Sequence, residues 1–223
     1  MNKIKTQIKV LLLVIICSTT TLAQSILLKG QAWEHKAQQI PGRVQCEFYN
    51  VGGEGVAYHD ADTVNNGSGK LNPADGTFLN EFRMNEGVDI SYTKSKDIDV
   101  HSYNKVAPEM DQLYVGWTEP GEWMEYRVAV TKTGMYQVGL MYTANGDGII
   151  SLDVDGKSVA GEVKVLSTND PLEPIAWRQW HHWNKTDNLI KIRLTKGIHT
   201  IRLHTVAHGN MNYDYLEFKK VKK

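Results

Sequence analysis

Cysteine is almost missing from this chain. There are two, Cys17 and Cys46, and the first lies in a stretch that reads as a leader. Cleavage after Ala23 leaves Cys46 alone, so an internal disulfide is excluded and stability rests on core packing and any bound metal. An excess of either charge is also missing. The 25 basic side chains balance the 25 acidic ones, which removes the electrostatic case for nucleic acid or an anionic membrane as partner. No apolar run is long enough to span a bilayer, the longest covering residues 10–16. No helical period extends beyond two turns, which argues against a helical fold. Zinc signatures of clustered Cys or His-x-x-x-His, the Gly-x-Ser-x-Gly elbow, the P-loop and the dinucleotide fingerprint are all lacking, and with them the common catalytic classes they mark.

What is present suits one globular domain with a full core: 223 residues, 41% of them hydrophobic. Nineteen glycines, ten tyrosines and six tryptophans point to a loop-rich β protein with aromatic surface to spare. The N-terminus carries Lys3, Lys5 and Lys9, then the apolar run, then Thr21-Leu22-Ala23 before Gln24. This is the layout of a secretory signal over residues 1–23, and predicts a periplasmic, cell-surface or secreted protein. Ile16 stands where a lipoprotein signal needs a small residue before Cys17, which favours cleavage over lipidation.

Residues 24–40 read as a lead-in, and Pro41-Gly42 opens a domain over 41–223. Residues 44–49 form a short predicted strand with Gln45 and Glu47 on one face. Residues 58–86 are a long, punctuated excursion through Asn65-Asn66-Gly67-Ser68-Gly69 and Asn72-Pro73-Ala74-Asp75-Gly76, and loops of that length are usually functional or disordered. The organising stretch is residues 116–126, where the Pro120-Gly121 turn leads into a strand. There Trp123, Tyr126, Val128 and Val130 are expected to fill a half-buried sheet face, while Trp117 sits on the turn side as a flat platform. Two clear alternations follow, Tyr136, Val138, Leu140, Tyr142 and Ile150, Leu152, Val154. Asp155-Gly156 predicts a tight hairpin. Lys196-Gly197, between Ile190, Ile192, Leu194 and Ile201, Leu203, predicts a second. Many short strands with regular turn signals predict an all-β fold, a β-sandwich.

Residues 177–183, Trp-Arg-Gln-Trp-His-His-Trp, form a second aromatic centre that should open in a loop after Pro171 and Pro174 and enter a strand. On a strand His181 and His182 point to opposite faces, so they do not make one metal site. Glu119, Glu122 and Glu125 could supply a glycosidase's paired carboxylates, but their spacing of three suits a helix and the segment reads as turn then strand.

Several motifs fall in one order: Val44-Gln45-Cys46-Glu47-Phe48-Tyr49, Gly55-Val56-Ala57-Tyr58-His59-Asp60-Ala61-Asp62, Glu86-Gly87-Val88-Asp89-Ile90, Gly116-Trp117-Thr118 with Gly121-Glu122-Trp123, Trp177-Arg178-Gln179-Trp180 and Met211-Asn212-Tyr213-Asp214. In this the chain resembles the family 6 carbohydrate-binding modules over about residues 40–220. The resemblance implies a β-sandwich of jelly-roll type with a sugar cleft in the loops at one end. It implies that Trp117 and Trp177 flank the sugar, that Asn212 hydrogen-bonds it, and that Gln45, Glu47 and Asp214 supply oxygens to a structural calcium ion. The physics agrees, since a pyranose CH face packs on an aromatic ring and an amide both donates to and accepts from hydroxyls. Period two would place Asn212 and Asp214 on one face, and Asn212→Ala would then weaken sugar binding with little loss of stability. The chain departs from the family in the length of the excursion and in having no catalytic domain attached.

The resulting expectation is an exported, non-catalytic module that binds a polysaccharide or oligosaccharide and works beside a separate glycan-degrading enzyme. The alternatives are a glycoside hydrolase on the same fold and a protein-interaction module of an exported assembly.

Overall fold

A computed structural model describes residues 30–94 and 104–222. The signal segment expected over residues 1–23, and Cys17 with it, lies outside the described residues. Among the described residues no helix is long and apolar enough to cross a membrane.

Two sheets face each other. The first runs β1 (Gln38–Ile40), β8 (Trp123–Val130), β14 (Gly197–Ala207), β10 (Gly148–Val154) and β11 (Lys157–Ser158), with β3 (Tyr58–His59) on β8 and β12 (Val163–Val165) on β10. The second runs β13 (Asn184–Leu194), β9 (Gly134–Ala144), β15 (Met211–Lys220), β7 (Leu113–Thr118) and β6 (Ile90–Tyr92), with β2 (Gly42–Gln45) on the free part of β15. The alternating residues meet between them. Tyr126, Val128, Ile150, Leu152, Ile201 and Leu203 from one sheet pack on Tyr136, Val138, Leu140, Ile192, Leu216 and Phe218 from the other, all buried. Each such side chain contributes roughly 1.5–3 kcal/mol of transfer free energy, so the sandwich needs no covalent staple. Cys46 is a free thiol in this core. The fold is the expected all-β sandwich of jelly-roll type.

The period of β9 and β10 and the Asp155-Gly156 hairpin appear as expected, with Val154 opposite Lys157 and positive φ at both turn residues. Other segments differ, each for a physical reason. In β8 the buried positions are Met124, Tyr126, Val128 and Val130. Trp123 has the other parity, so it faces outward, beneath the Arg202 guanidinium 3.8 Å from its ring centroid. Lys196-Gly197 does not close a hairpin. β13 pairs with β9 and β14 with β8, so this turn carries the chain from one sheet to the other and both apolar faces reach the same core. The early strand stops at Gln45, and Cys46–Phe48 is a 3-10 turn, which ends the period that aligned Gln45 with Glu47. Ala176–Gln179 is likewise a 3-10 turn, and β13 begins only at Asn184. The strand parity assigned to residues 177–183 therefore does not apply.

The excursion is a built structure. It holds the ribbon β4 (Ser68–Gly69) and β5 (Asn72–Pro73) and the one-turn helix α1 (Phe78–Glu81). The buried Asn65 amide oxygen accepts from the backbone of Gly67, Ser68 and Ile90. Buried Arg83 donates to the carbonyls of Tyr49 and Asn50 at 2.7 and 2.8 Å. The end of the lead-in is also part of the sheet, since β1 runs parallel to β8.

Candidate functional site

At one end of the sandwich the C-terminal ends of β7 and β9 meet the N-terminal end of β15, through Met211 opposite Thr118 and Asn212 opposite Thr143. Trp117 sits there at φ 48°, a left-handed conformation that costs a non-glycine residue on the order of 1 kcal/mol. Its N–H donates to Asn212 Oδ1 at 3.0 Å. A Cβ on Gly116 would stand 3.3 Å from that oxygen, so a larger residue would press on the contact. Asn212 is 0% exposed, and its Nδ2 donates to His181 Nδ1 at 3.3 Å. An amide nitrogen can only donate, so Nδ1 accepts and the imidazole proton sits on Nε2. The His181 ring then meets Trp177 edge-on at 6.2 Å and Trp180 at 5.8 Å. Trp177 is 42% exposed, with the Arg178 guanidinium 5.5 Å from its ring centroid. The three ligand residues expected from the sequence are thus joined in one chain, Trp117 to Asn212 to His181 to Trp177. Beneath it, buried Trp183 packs edge-on against Tyr114 at 5.2 Å.

Gln45, Glu47 and Asp214 form a second constellation. Gln45 lies opposite Tyr215, the neighbour of Asp214. β15 is irregular at this point, since Tyr213 pairs with Tyr142 but Tyr215 with Met141. Asp214 is the extra residue of a bulge, and the bulge re-aims it and breaks the period that would have kept it on the face of Asn212. Gln45 Oε1, Glu47 Oε2 and Asp214 Oδ1 are all buried with no hydrogen-bond partner. The other Glu47 oxygen accepts from Gln112 at 3.0 Å. Burial, with the charge of Asp214 adding to it, pushes the Glu47 carboxyl well above its usual range. Burial and the nearby Glu109 push Asp214 up to about 7.

The family profile described as carbohydrate binding module (family 6) matches residues 90–220. The chain belongs to carbohydrate-binding module family 6. No curated protein matches this module. Among solved structures it is similar to a CBM6 from Clostridium stercorarium in complex with cellobiose, at 12% identity and TM-score 0.48, covering 83% of this chain and 98% of that one. A β-1,3-glucan-binding CBM6 from Bacillus halodurans matches at 16% identity and TM-score 0.46, covering 82% and 99%. A family 43 arabinoxylan arabinofuranohydrolase from Bacillus subtilis, in complex with cellotetraose, matches at 13% identity and TM-score 0.48 over 83% of this chain. The module spans 28% of that enzyme's length.

The three glutamates near the central turn of the module are engaged elsewhere or apart. Glu122 is buried and accepts from Ala61 N at 3.1 Å and Glu119 N at 2.7 Å, which ties the turn to the loop after β3. Burial raises its carboxyl to about 7. Glu125 pairs with Arg202 at 3.0 Å on the outer face of the first sheet, and Glu119 is exposed. His181 is the residue that sequence reasoning missed. On a strand it reads as a metal candidate, whereas in the module it links the buried Asn212 amide to the Trp177 ring. The only signal was its spacing of four from Trp177, legible once a turn of helix is known to lie between them.

Proposed function

We propose that this chain is an exported, non-catalytic glycan-binding module whose sugar packs on Trp117 and Trp177 above the buried Asn212 amide, with a structural calcium ion held by Gln45, Glu47 and Asp214. The observation that carries the cleft is the unbroken linkage from Trp117 through Asn212 and His181 to Trp177. It joins the backbone of Trp117 at the end of β7 to the ring of Trp177, 60 positions later, which supports one rim for both tryptophans. Ring faces held in place bind a pyranose CH surface at low ordering cost. Asn212 is buried and bonded on both sides, so it acts on the sugar chiefly by holding the backbone of Trp117 and the ring of His181.

The three unpartnered buried oxygens fit a calcium ion. They are hard donors, two are carboxylates, and Ca²⁺ accepts six to eight such oxygens with flexible geometry. The ion would supply the positive charge that these buried carboxylates lack. Residues 1–23, with their basic, apolar and small-residue regions, support export. A hydrolase reading requires two carboxylates facing one sugar. It is weakened by Glu122 spending both oxygens on backbone N–H groups and by Glu125 lying in an ion pair.

The test is retention of the purified chain on a panel of immobilised neutral polysaccharides, with reducing-sugar release followed in parallel. Retention without turnover is expected. Sugar release that disappears in Glu122→Gln would establish the hydrolase instead, and no retention on any glycan would overturn the cleft.

A further inference from the structure

The opposite pole of the sandwich holds a pocket of about 880 Å³. Its cationic side chains are Lys132, Arg193, Lys220 and Lys222, and among the described residues no Asp or Glu lines it. The chain as a whole is neutral, so four cations without an anion represent segregation of charge and not composition. Several cations elsewhere are paired, as in Lys185 with Glu217, Lys219 with Asp187, Lys164 with Asp147 and Arg202 with Glu125; Lys36, Lys157, Lys191 and Lys196 are exposed cations outside this pocket. None of the four pocket cations forms an ion pair among the described residues.

The fold builds this pocket. β9 begins here at Gly134, β13 ends at Leu194 and β15 ends at Lys220. The cleft lies at the other ends of the same strands, about 30 Å away for a strand of this length. Lys220 lies across Gly134, where an added Cβ would stand 2.6 Å from its Cε. The Tyr136 hydroxyl donates to the Lys132 carbonyl at 2.5 Å, and Thr133 Oγ1 accepts from Lys196 N at 2.8 Å, so the β8–β9 turn is pinned at both points. Between the cations lies an apolar strip. Met135, 41% exposed, is the cross-strand partner of Arg193, and Val221, 37% exposed, donates its N–H to the Met135 carbonyl.

We propose that this pocket binds an acidic polysaccharide, one carrying carboxylate or sulfate groups, as a second contact independent of the aromatic cleft. A bare anion would have no use for the apolar strip. A sugar ring presents CH faces to Met135 and Val221 while its acidic substituents reach the surrounding cations. A concave pocket suits a polymer segment better than a bilayer surface, which meets flat or protruding apolar groups.

The experiment is affinity electrophoresis of the full chain through gels holding polygalacturonate, dextran sulfate or neutral dextran, at 50 and 500 mM salt. Flotation with phosphatidylglycerol vesicles runs beside it. Retardation by at least one acidic polymer and not by dextran is expected, the responding polymer naming carboxylate or sulfate as the ligand group. Affinity should fall about tenfold or more in Arg193→Glu/Lys220→Glu, since each exposed charge contact is modest and two are reversed. A similar fall is expected at high salt, where the screening length drops below about 5 Å. The double variant should keep its melting midpoint and its retention on neutral glycan, and Lys132→Gln/Lys222→Gln should show a smaller loss in the same direction. No retardation by either acidic polymer, retardation unchanged in both variants, or vesicle binding without polymer binding would each overturn the proposal. A neutral-glycan result, positive or negative, bears on the cleft alone.

Discussion

Removal of the proposed calcium ion is the sharpest perturbation. β2 and β15 are already joined by backbone pairing from Gly42 opposite Phe218 to Gln45 opposite Tyr215, so an ion here does little to close the chain into a loop. Its effect lies in the three buried oxygens. An unmet buried acceptor costs about 1–3 kcal/mol, and Gln45 Oε1, Glu47 Oε2 and Asp214 Oδ1 together represent several kcal/mol that the ion would offset. At a calcium concentration about a hundredfold above the dissociation constant, binding to the folded state alone contributes roughly 2.7 kcal/mol. For a domain of this size 1 kcal/mol moves the midpoint by about 2–4 °C, so the midpoint should fall about 5–10 °C between excess calcium and excess chelator. Asp214→Ala should remove that response and leave a midpoint that no longer depends on calcium. Thermal melts of both proteins with calcium and with EGTA, alongside elemental analysis of the dialysed wild type, decide the matter. A wild-type midpoint unmoved by chelator, with no calcium in the protein, would refute the reasoning.

Three further outcomes are expected. Trp117→Ala or Trp177→Ala should lower glycan affinity by roughly 1–3 kcal/mol, the scale of one stacked aromatic contact. Calorimetry showing unchanged affinity in both, with the fold intact, would remove the cleft. Asn212→Ala should lower both affinity and stability, the latter by about 1–3 kcal/mol, because a fully buried amide and its two partners are disrupted. A melting midpoint equal to wild type would show that the amide is not structural. Glu122 binds its proton more tightly folded, at about 7, than its ordinary value of 4.5, so its contribution to stability declines as pH rises from about 4.5 through about 7. The wild-type midpoint should therefore fall more steeply from pH 5 to pH 8 than that of Glu122→Gln, and parallel profiles would contradict this.

The parts legible in the sequence are those where one local signal governs. Tyr136, Val138, Leu140 and Tyr142 alternate because each packs into a single core, and Asp155-Gly156 makes its hairpin because both residues tolerate positive φ. The parts that were not legible depend on partners distant in sequence. Lys196-Gly197 has the chemistry of a hairpin turn, and nothing local says that the strands on either side belong to different sheets. The bulge at Asp214 is a one-residue shift in pairing against β9, invisible to a period-two reading of β15 alone. Trp123 looks like a core residue by type, and its parity with Met124 places it outside.

The same distinction explains the candidate site. Trp117 and Trp177 could be singled out by residue type and by resemblance, but how they are held could not. A left-handed tryptophan at a strand end is unfavourable by itself. Its backbone N–H, turned out of the β7 ladder, needs an acceptor, and Asn212, 95 positions later in the chain, supplies it. That hydrogen bond, worth about 1 kcal/mol net, is of the size needed to offset the strain. The amide can serve only because its other end is occupied by His181, since an unmet buried N–H would cancel the gain. Asn212 and His181 thus make sense only as a pair, joining the backbone of Trp117 to the ring of Trp177. Residues read separately as ligand, metal candidate and aromatic platform become one linked set.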